Sequence, residues 1–114
     1  MSKIVVYGIK TCDSVRKVTK LLKANDVEFD FFDFKKENVS KDKIEFWLKH
    51  VEIDKLFNSR GTTYRTLKLK ELNLDENSKI DWLAKENMLI KRPVIELDGS
   101  VLVGFDETKI INKI

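Results

Sequence analysis

The stretch from Lys3 to Phe34 constrains the fold more than any other part of the chain. Lys3 to Tyr7 is a short β-branched and aromatic run closed by Gly8, the signature of a buried strand. After it, Val15, Val18 and Leu22, with Leu21 beside them, recur at helical spacing through Lys23, and Asn25-Asp26 supplies a stop. Val27 to Phe34 then alternates apolar and acidic residues, as a half-buried strand does. Strand, helix and strand in that order form a β-α-β unit, whose two strands have to run parallel because the connection crosses over.

The middle of the chain changes period. Ser40 precedes Ile44, Trp47, Leu48 and Val51, an i, i+3, i+4, i+7 stripe that predicts a helix with one apolar face. Two more helical pieces are expected around Thr63 to Glu71 and Ser78 to Glu86, the second opening on a capping-box spacing from Ser78 to Asp81. Two apolar runs, Pro93 to Leu97 and Val101 to Val103, are separated by Asp98-Gly99, which predicts a β-hairpin. Asp106 is placed to cap a last helix carrying Ile110 and Ile111. The order β-α-β, helical block, β-β-α predicts an α/β thioredoxin-like fold. Its mixed four-stranded sheet is expected within a single domain, 1–114, with a helical insertion at about 38–90 between the two halves.

Composition removes several function classes. Lys and Arg number 22 against 19 Asp and Glu, and the resulting charge of +3 is dispersed among acids, which argues against direct nucleic-acid binding. No apolar run approaches the ~18 to 20 residues that cross a bilayer, so no membrane partner is expected. The first residues lack the basic and apolar regions of a secretory signal, and the single cysteine cannot form an internal disulfide. A cytoplasmic location follows as the expectation. With one His, His50, and one Cys, no metal site is expected.

That one cysteine lies in Tyr7-Gly8-Ile9-Lys10-Thr11-Cys12-Asp13-Ser14-Val15-Arg16, where the first strand gives way to the first helix. A lone cysteine is often only a small buried hydrophobe. At a helix start, however, its sulfur lies near backbone N–H groups that have no intrahelical partner, and these groups with the helix dipole favour a thiolate. Lys10 and Arg16 add positive charge nearby. Cys12 is therefore a candidate nucleophile. Ser14 is a neighbouring hydroxyl, but Val15 fills the position of the second cysteine in a Cys-x-x-Cys pair, so a resolving thiol has to come from outside the chain.

Two further stretches carry polar chemistry. Ile90-Lys91-Arg92-Pro93-Val94 leads into the third strand. Proline at the first residue of a strand is tolerated in any sheet; a cis Arg92-Pro93 bond would instead turn the backbone toward the Cys12 loop to pair with an extended thiol substrate, with Arg92 as a fixed cation. Asn58-Ser59-Arg60-Gly61-Thr62-Thr63-Tyr64-Arg65 is a polar loop between helices. It is either an ordinary connection with Thr62 or Thr63 capping the next helix, or an anion-binding loop.

Taken together, Tyr7-Gly8-Ile9-Lys10-Thr11-Cys12, Asn58-Ser59-Arg60-Gly61-Thr62-Thr63-Tyr64, Lys91-Arg92-Pro93-Val94 and Val103-Gly104-Phe105 resemble the arsenate reductase family, which includes the Spx-type regulators. The likeness runs nearly end to end and is nearest to the branch of small glutaredoxin-like proteins. It implies a thioredoxin-like fold with a helical insertion, Cys12 as nucleophile and Arg92 beside a cis-proline. Family members that reduce arsenate with glutaredoxin use a cysteine and three arginines. Here Cys12 and Arg92 match, Arg60 lies near the second place, and Gly104 stands where the third arginine would be.

The function expected from these residues is a thiol-dependent reductase acting on arsenate or on glutathione mixed disulfides. Cys12 and Arg92 are the catalytic pair, and Lys10, Thr11, Ser14, Arg16, Arg60 and Pro93 bind substrate. No bound cofactor is expected; glutathione is the co-substrate and glutaredoxin a candidate partner. The alternative is an Spx-like regulator that binds RNA polymerase without turnover. Spx proteins with a redox switch carry a Cys-x-x-Cys pair, which Val15 interrupts here.

Overall fold

The continuous apolar run of β1 (Ile4–Gly8) builds the centre of the fold. A computed structural model describes residues 4–114, so Lys3, expected to open this strand, lies outside the described residues. β1 is followed by α1 (Asp13–Ala24), β2 (Asp30–Asp33), α2 (Lys41–Leu48), α3 (Ile53–Leu56) and α4 (Thr62–Thr66). A 3-10 turn at Leu69–Leu72, α5 (Glu76–Lys85) and a second 3-10 turn at Asn87–Leu89 come next; β3 (Val94–Leu97), β4 (Ser100–Val103) and α6 (Glu107–Lys113) complete the chain. The described residues group into two compact units: 4–37 with 92–114, and 38–91.

The first unit holds a four-stranded sheet in the order β2-β1-β3-β4. β1 runs parallel to β2, with Tyr7 opposite Phe32, and antiparallel to β3, with Tyr7 opposite Val94. β3 and β4 form the hairpin. Its turn residues Asp98 and Gly99 both have positive φ, 41° and 87°, the backbone that an Asp-Gly pair accepts most readily. The sheet is thus mixed and thioredoxin-like, as the element order predicts. One of its faces buries Ile4, Val6, Ile95 and Leu97 in a cluster with Val18 and Leu22 of α1 and Ile110 of α6. On the other face Tyr7 packs its ring 5.2 Å from Phe32 and 6.4 Å from Phe34. The Tyr7 hydroxyl donates to Glu96 Oε1 at 2.9 Å. Burial first, and then the bond to the Glu96 carboxylate, push the Tyr7 pKa up.

The second unit, which spans the expected insertion, is helical. Ser40 caps α2, its Oγ accepting from Lys43 N–H at 3.2 Å, and Ile44 and Trp47 are fully buried. Asn87 is the buried polar residue of this unit: its Oδ1 accepts from Val39 N–H at 2.6 Å and its Nδ2 donates to Leu83 O at 2.8 Å. A short antiparallel bridge joins Phe57 to Ile90, with Asn58 N–H donating to Leu89 O and Lys91 N–H to Leu56 O.

Several expected boundaries shift, each for a local reason. β2 is four residues rather than the whole of 27–34, because Val27 N–H still donates to Leu22 O and Asp26 sits at φ 56°, so the chain is turning out of α1 until it reaches the sheet. The helix expected over 63–71 is two pieces, α4 and a 3-10 turn, separated by Lys68 in the left-handed region. α5 starts before Ser78: Asp75 is its N-cap, with Oδ1 accepting from Ser78 N–H at 2.8 Å, and Asp81 pairs with Lys41 at 2.8 Å instead of serving a cap. Neither Thr62 nor Thr63 caps α4, whose N-cap is Gly61. β3 begins at Val94, one residue after Pro93. Asp106 does cap α6, accepting from Lys109 N–H at 3.2 Å; Ile110 is buried there while Ile111 is 46% exposed.

Candidate functional site

Everything that leaves the C-terminal end of β1 meets the N-terminal end of β3, because Tyr7 and Val94 are register partners in an antiparallel pair. The Cys12 loop and the Arg92-Pro93 peptide therefore emerge at the same end of the sheet. Arg92-Pro93 is cis. Pro93 O accepts from Gly104 N–H at 2.8 Å, which brings the segment after β4 to this end as well. Phe34 N–H donates to Gly8 O at 2.9 Å, so the chain leaving β2 is here too.

The Cys12 loop is shaped by two contacts. A Cβ on Gly8 would lie 2.5 Å from Val15 Cγ2, so the strand end and the helix start touch as only glycine permits. Arg16 reaches back from the first turn of α1. Its Nε donates to Lys10 O at 3.2 Å and its Nη2 to Thr11 O at 3.0 Å, while Nη1 lies 3.9 Å from Asp13. Arg16, expected to bind substrate, also fastens the loop. Lys10 and Thr11 are exposed on that loop.

Cys12 is the N-cap of α1, with extended backbone at φ −81°, ψ 126°. It is partly buried and its sulfur is a free thiol. Its N–H donates to Ile9 O, and its carbonyl accepts from Arg16 N–H, the first bond of the helix. The side chain accepts nothing from the first-turn amides. This differs from the expected sulfur held by those amides: the donors lie at the same helix end, but the thiol does not take them. Ser14 is half-buried in the first turn. Arg92 is partly buried and Pro93 buried, next to Val94 in β3. Gly104 has φ 86° with nothing within 4 Å of an added Cβ; space would admit a side chain, whereas the left-handed backbone disfavours one.

Arg60 belongs to the second unit, on the loop between α3 and α4. Asn58 organises that loop: its Oδ1 accepts from Arg60 N–H at 3.1 Å, and a Cβ on Gly61 would sit 2.6 Å from Asn58 Nδ2. Asn58 was not among the expected site residues, although an Asn bonding the backbone two residues on is a turn signal that the sequence carries. The Arg60 carbonyl accepts from Arg65 Nη1 at 3.5 Å. Among the described residues no cluster of three or more His, Cys, Asp or Glu could hold a metal ion, and no helix is long and apolar enough to cross a membrane.

Known proteins resemble this chain in sequence, and one of them in fold. A protein of Haemophilus influenzae with no assigned function is 37% identical over 105 residues, covering 91% of this chain and 92% of that one. The solved structure of the YffB (PA3664) protein superposes with a TM-score of 0.89 at 33% identity, covering 96% of this chain and 97% of that one. The global transcriptional regulator Spx of Lactiplantibacillus plantarum is 24% identical over 109 residues, covering 94% of this chain and 83% of that regulator. The ArsC family matches residues 7–112, from the end of β1 into α6, and with it the Cys12 loop and the Arg92-Pro93 peptide; this chain is a member of the ArsC family.

Proposed function

We propose that the chain is a thiol-dependent reductase in which Cys12 exchanges with the disulfide of a glutathione mixed disulfide. The Cys12 thiolate attacks the glutathionyl sulfur, the S–S bond breaks, and the other sulfur leaves as a thiolate that takes a proton from water. Cys12 then carries glutathione. A second glutathione thiolate attacks that new disulfide, releasing oxidised glutathione and restoring Cys12, so that one mixed disulfide and one glutathione give one thiol and one oxidised glutathione. An external thiol is needed because Cys12 is the only cysteine in the chain.

The observation that carries this reading is Cys12 itself: a partly exposed residue at a helix start, its free thiol capping no first-turn amide, on a loop fastened by Arg16. Arg92 supplies positive charge at the same end of the sheet, and Lys10 offers an ammonium to the carboxylates of glutathione. Arsenate is the second candidate substrate for the same cysteine, glutaredoxin then being the partner that resolves it; Gly104 in place of an arginine weakens the anion's hold. Thr11, Ser14 and Pro93 complete the proposed substrate set. Incubation with a glutathionylated peptide should give a mass increase of one glutathione on Cys12 and release of the peptide thiol. Turnover undiminished in Cys12→Ser protein would refute the mechanism.

A second reading is favoured by the relative that is a transcriptional regulator. In it the chain binds RNA polymerase and needs no turnover. Co-purification of RNA polymerase subunits with tagged Cys12→Ser protein, together with no glutathione transfer by the unaltered chain, would select this reading over the first.

A further inference from the structure

Beside the Cys12 loop, α1 and β2 enclose a trough of about 260 Å3 lined by Lys10, Val15, Arg16, Thr19, Lys23, Phe29 and Phe31. Positions 15, 19 and 23 repeat every four residues, so they form one row on the helix, roughly 12 Å long at 1.5 Å per residue. β2 is an edge strand, and no strand of the sheet lies beyond it. The floor is apolar: Val15 is buried, and Phe29 and Phe31 pack against the core yet remain partly open.

The rim is one-sided in charge. It offers three cations and one hydroxyl and no carboxylate. Arg16 is engaged by the loop carbonyls, and Thr19 Oγ1 donates to Arg16 O at 3.1 Å. Lys10 also borders a neighbouring hollow that contains Asp33 and Glu37. Lys23, exposed and without an acid partner among the described residues, is the remaining cation on the rim.

We propose that this trough binds small amphipathic anions, an aromatic or short acyl carboxylate whose apolar body lies on Val15, Phe29 and Phe31 while its carboxylate pairs with Lys23. A neutral body would gain the floor without the ion pair, and a fully polar anion would leave the aromatic surface wet. The volume lies just under the ~300 to 1,000 Å3 of sites for drug-sized molecules, which restricts the ligand to small compounds. Lys10 borders both this trough and the proposed glutathione site, but the contacts proposed here, to Val15, Lys23, Phe29 and Phe31, are none of those assigned to thiol exchange, so binding here is tested separately from the reductase reading.

Titration of 15N-labelled protein with naphthalene-2-carboxylate tests it. Saturable shifts are expected at the amides of Val15, Thr19, Lys23, Phe29 and Phe31. The neutral naphthalene-2-carboxamide should bind about fivefold more weakly, and Lys23→Glu should cost a similar factor. Lys20→Glu makes the same charge change on an exposed α1 position outside the trough and should leave affinity within about twofold. Cys12→Ser should bind like the unaltered chain. Absence of saturable shifts, shifts confined to other residues, equal binding of the carboxamide, or equal losses in the two Lys variants would each overturn the proposal.

Discussion

Two loops in this molecule are built alike and finished differently. Each leads into a helix, each has a glycine pressed against a side chain, and each has an arginine from the following helix bonding back to a loop carbonyl. At Gly8 the neighbour is the branched Val15, buried in the core; at Gly61 it is the amide end of Asn58. Arg16 makes two bonds to its loop, at 3.0 and 3.2 Å, where Arg65 makes one at 3.5 Å. The helix after Cys12 has 12 residues and buries Val15, Val18 and Leu22; the helix after Gly61 has five and buries none. The lesson is that fixing a loop depends on what its fastenings are attached to. The first loop is tied to a helix that is itself locked into the sheet, which suits a nucleophile. The second is tied mainly to itself through Asn58.

The sharpest way to break the contrast is Gly8→Ala. Its methyl has to displace a core valine, so unfolding in urea should show a loss of about 1–3 kcal/mol. Gly61→Ala only pushes aside a flexible amide and its bond to Arg60 N–H, and the same measurement should show about 0.5–1.5 kcal/mol. A loss at Gly61 equal to that at Gly8 would erase the distinction.

Cys12 sharpens it from another side. Ser40, Asp75 and Asp106 cap their helices with side-chain oxygens, whereas Cys12 and Gly61 do not. Cys12→Ser should therefore gain about 1 kcal/mol of stability while ending glutathione transfer, because serine accepts the first-turn amide that the sulfur leaves alone. Unfolding midpoint and adduct mass, read on the same protein, check both halves.

A smaller effect separates the two arginines. Arg16→Ala should loosen the loop and change the alkylation rate of Cys12 by iodoacetamide about two- to threefold; its side chain is 63% exposed, so the stability cost should stay near 0.5 kcal/mol. Arg65→Ala should leave both quantities unchanged.

The smallest concerns the caps. The Ser78 amide holds Asp75 below the usual carboxylate range, so its contribution is present above the unfolded pKa and lost as pH falls through the lower folded value. Asp75→Asn should remove this part of the acid dependence of helicity, followed by circular dichroism.

Where the sequence pattern and a single dominant interaction agreed, the fold could be read before the coordinates: the β-α-β opening, the helix after Ser40, the Asp98-Gly99 turn and the Asp106 cap. The failures lie where two local solutions competed. Ser78 and Asp75 are both fit to start α5, and the earlier residue wins because Ser78 N–H is then the bonded donor. The alternation from Val27 resembles a strand, but the C-terminal turn of α1 still holds Val27 N–H. At the candidate site, position along the chain placed Cys12 at the helix start and brought Arg92 to the same sheet end. It could not place side chains: Arg16 read as positive charge near the thiol, and nothing in the letters says that its fork turns back on Lys10 and Thr11.

Asn87 gives the second unit a property of its own. One amide clasps the chain just after it enters, at Val39, while Lys91 N–H, just before it exits, is held by Leu56. The doorway of the helical segment is thus latched from within, and the segment has the makings of a transferable cassette. Exchange between relatives should succeed with junctions at 38 and 91, and fail when a junction at 40 takes Val39 from one parent and its amide partner from another.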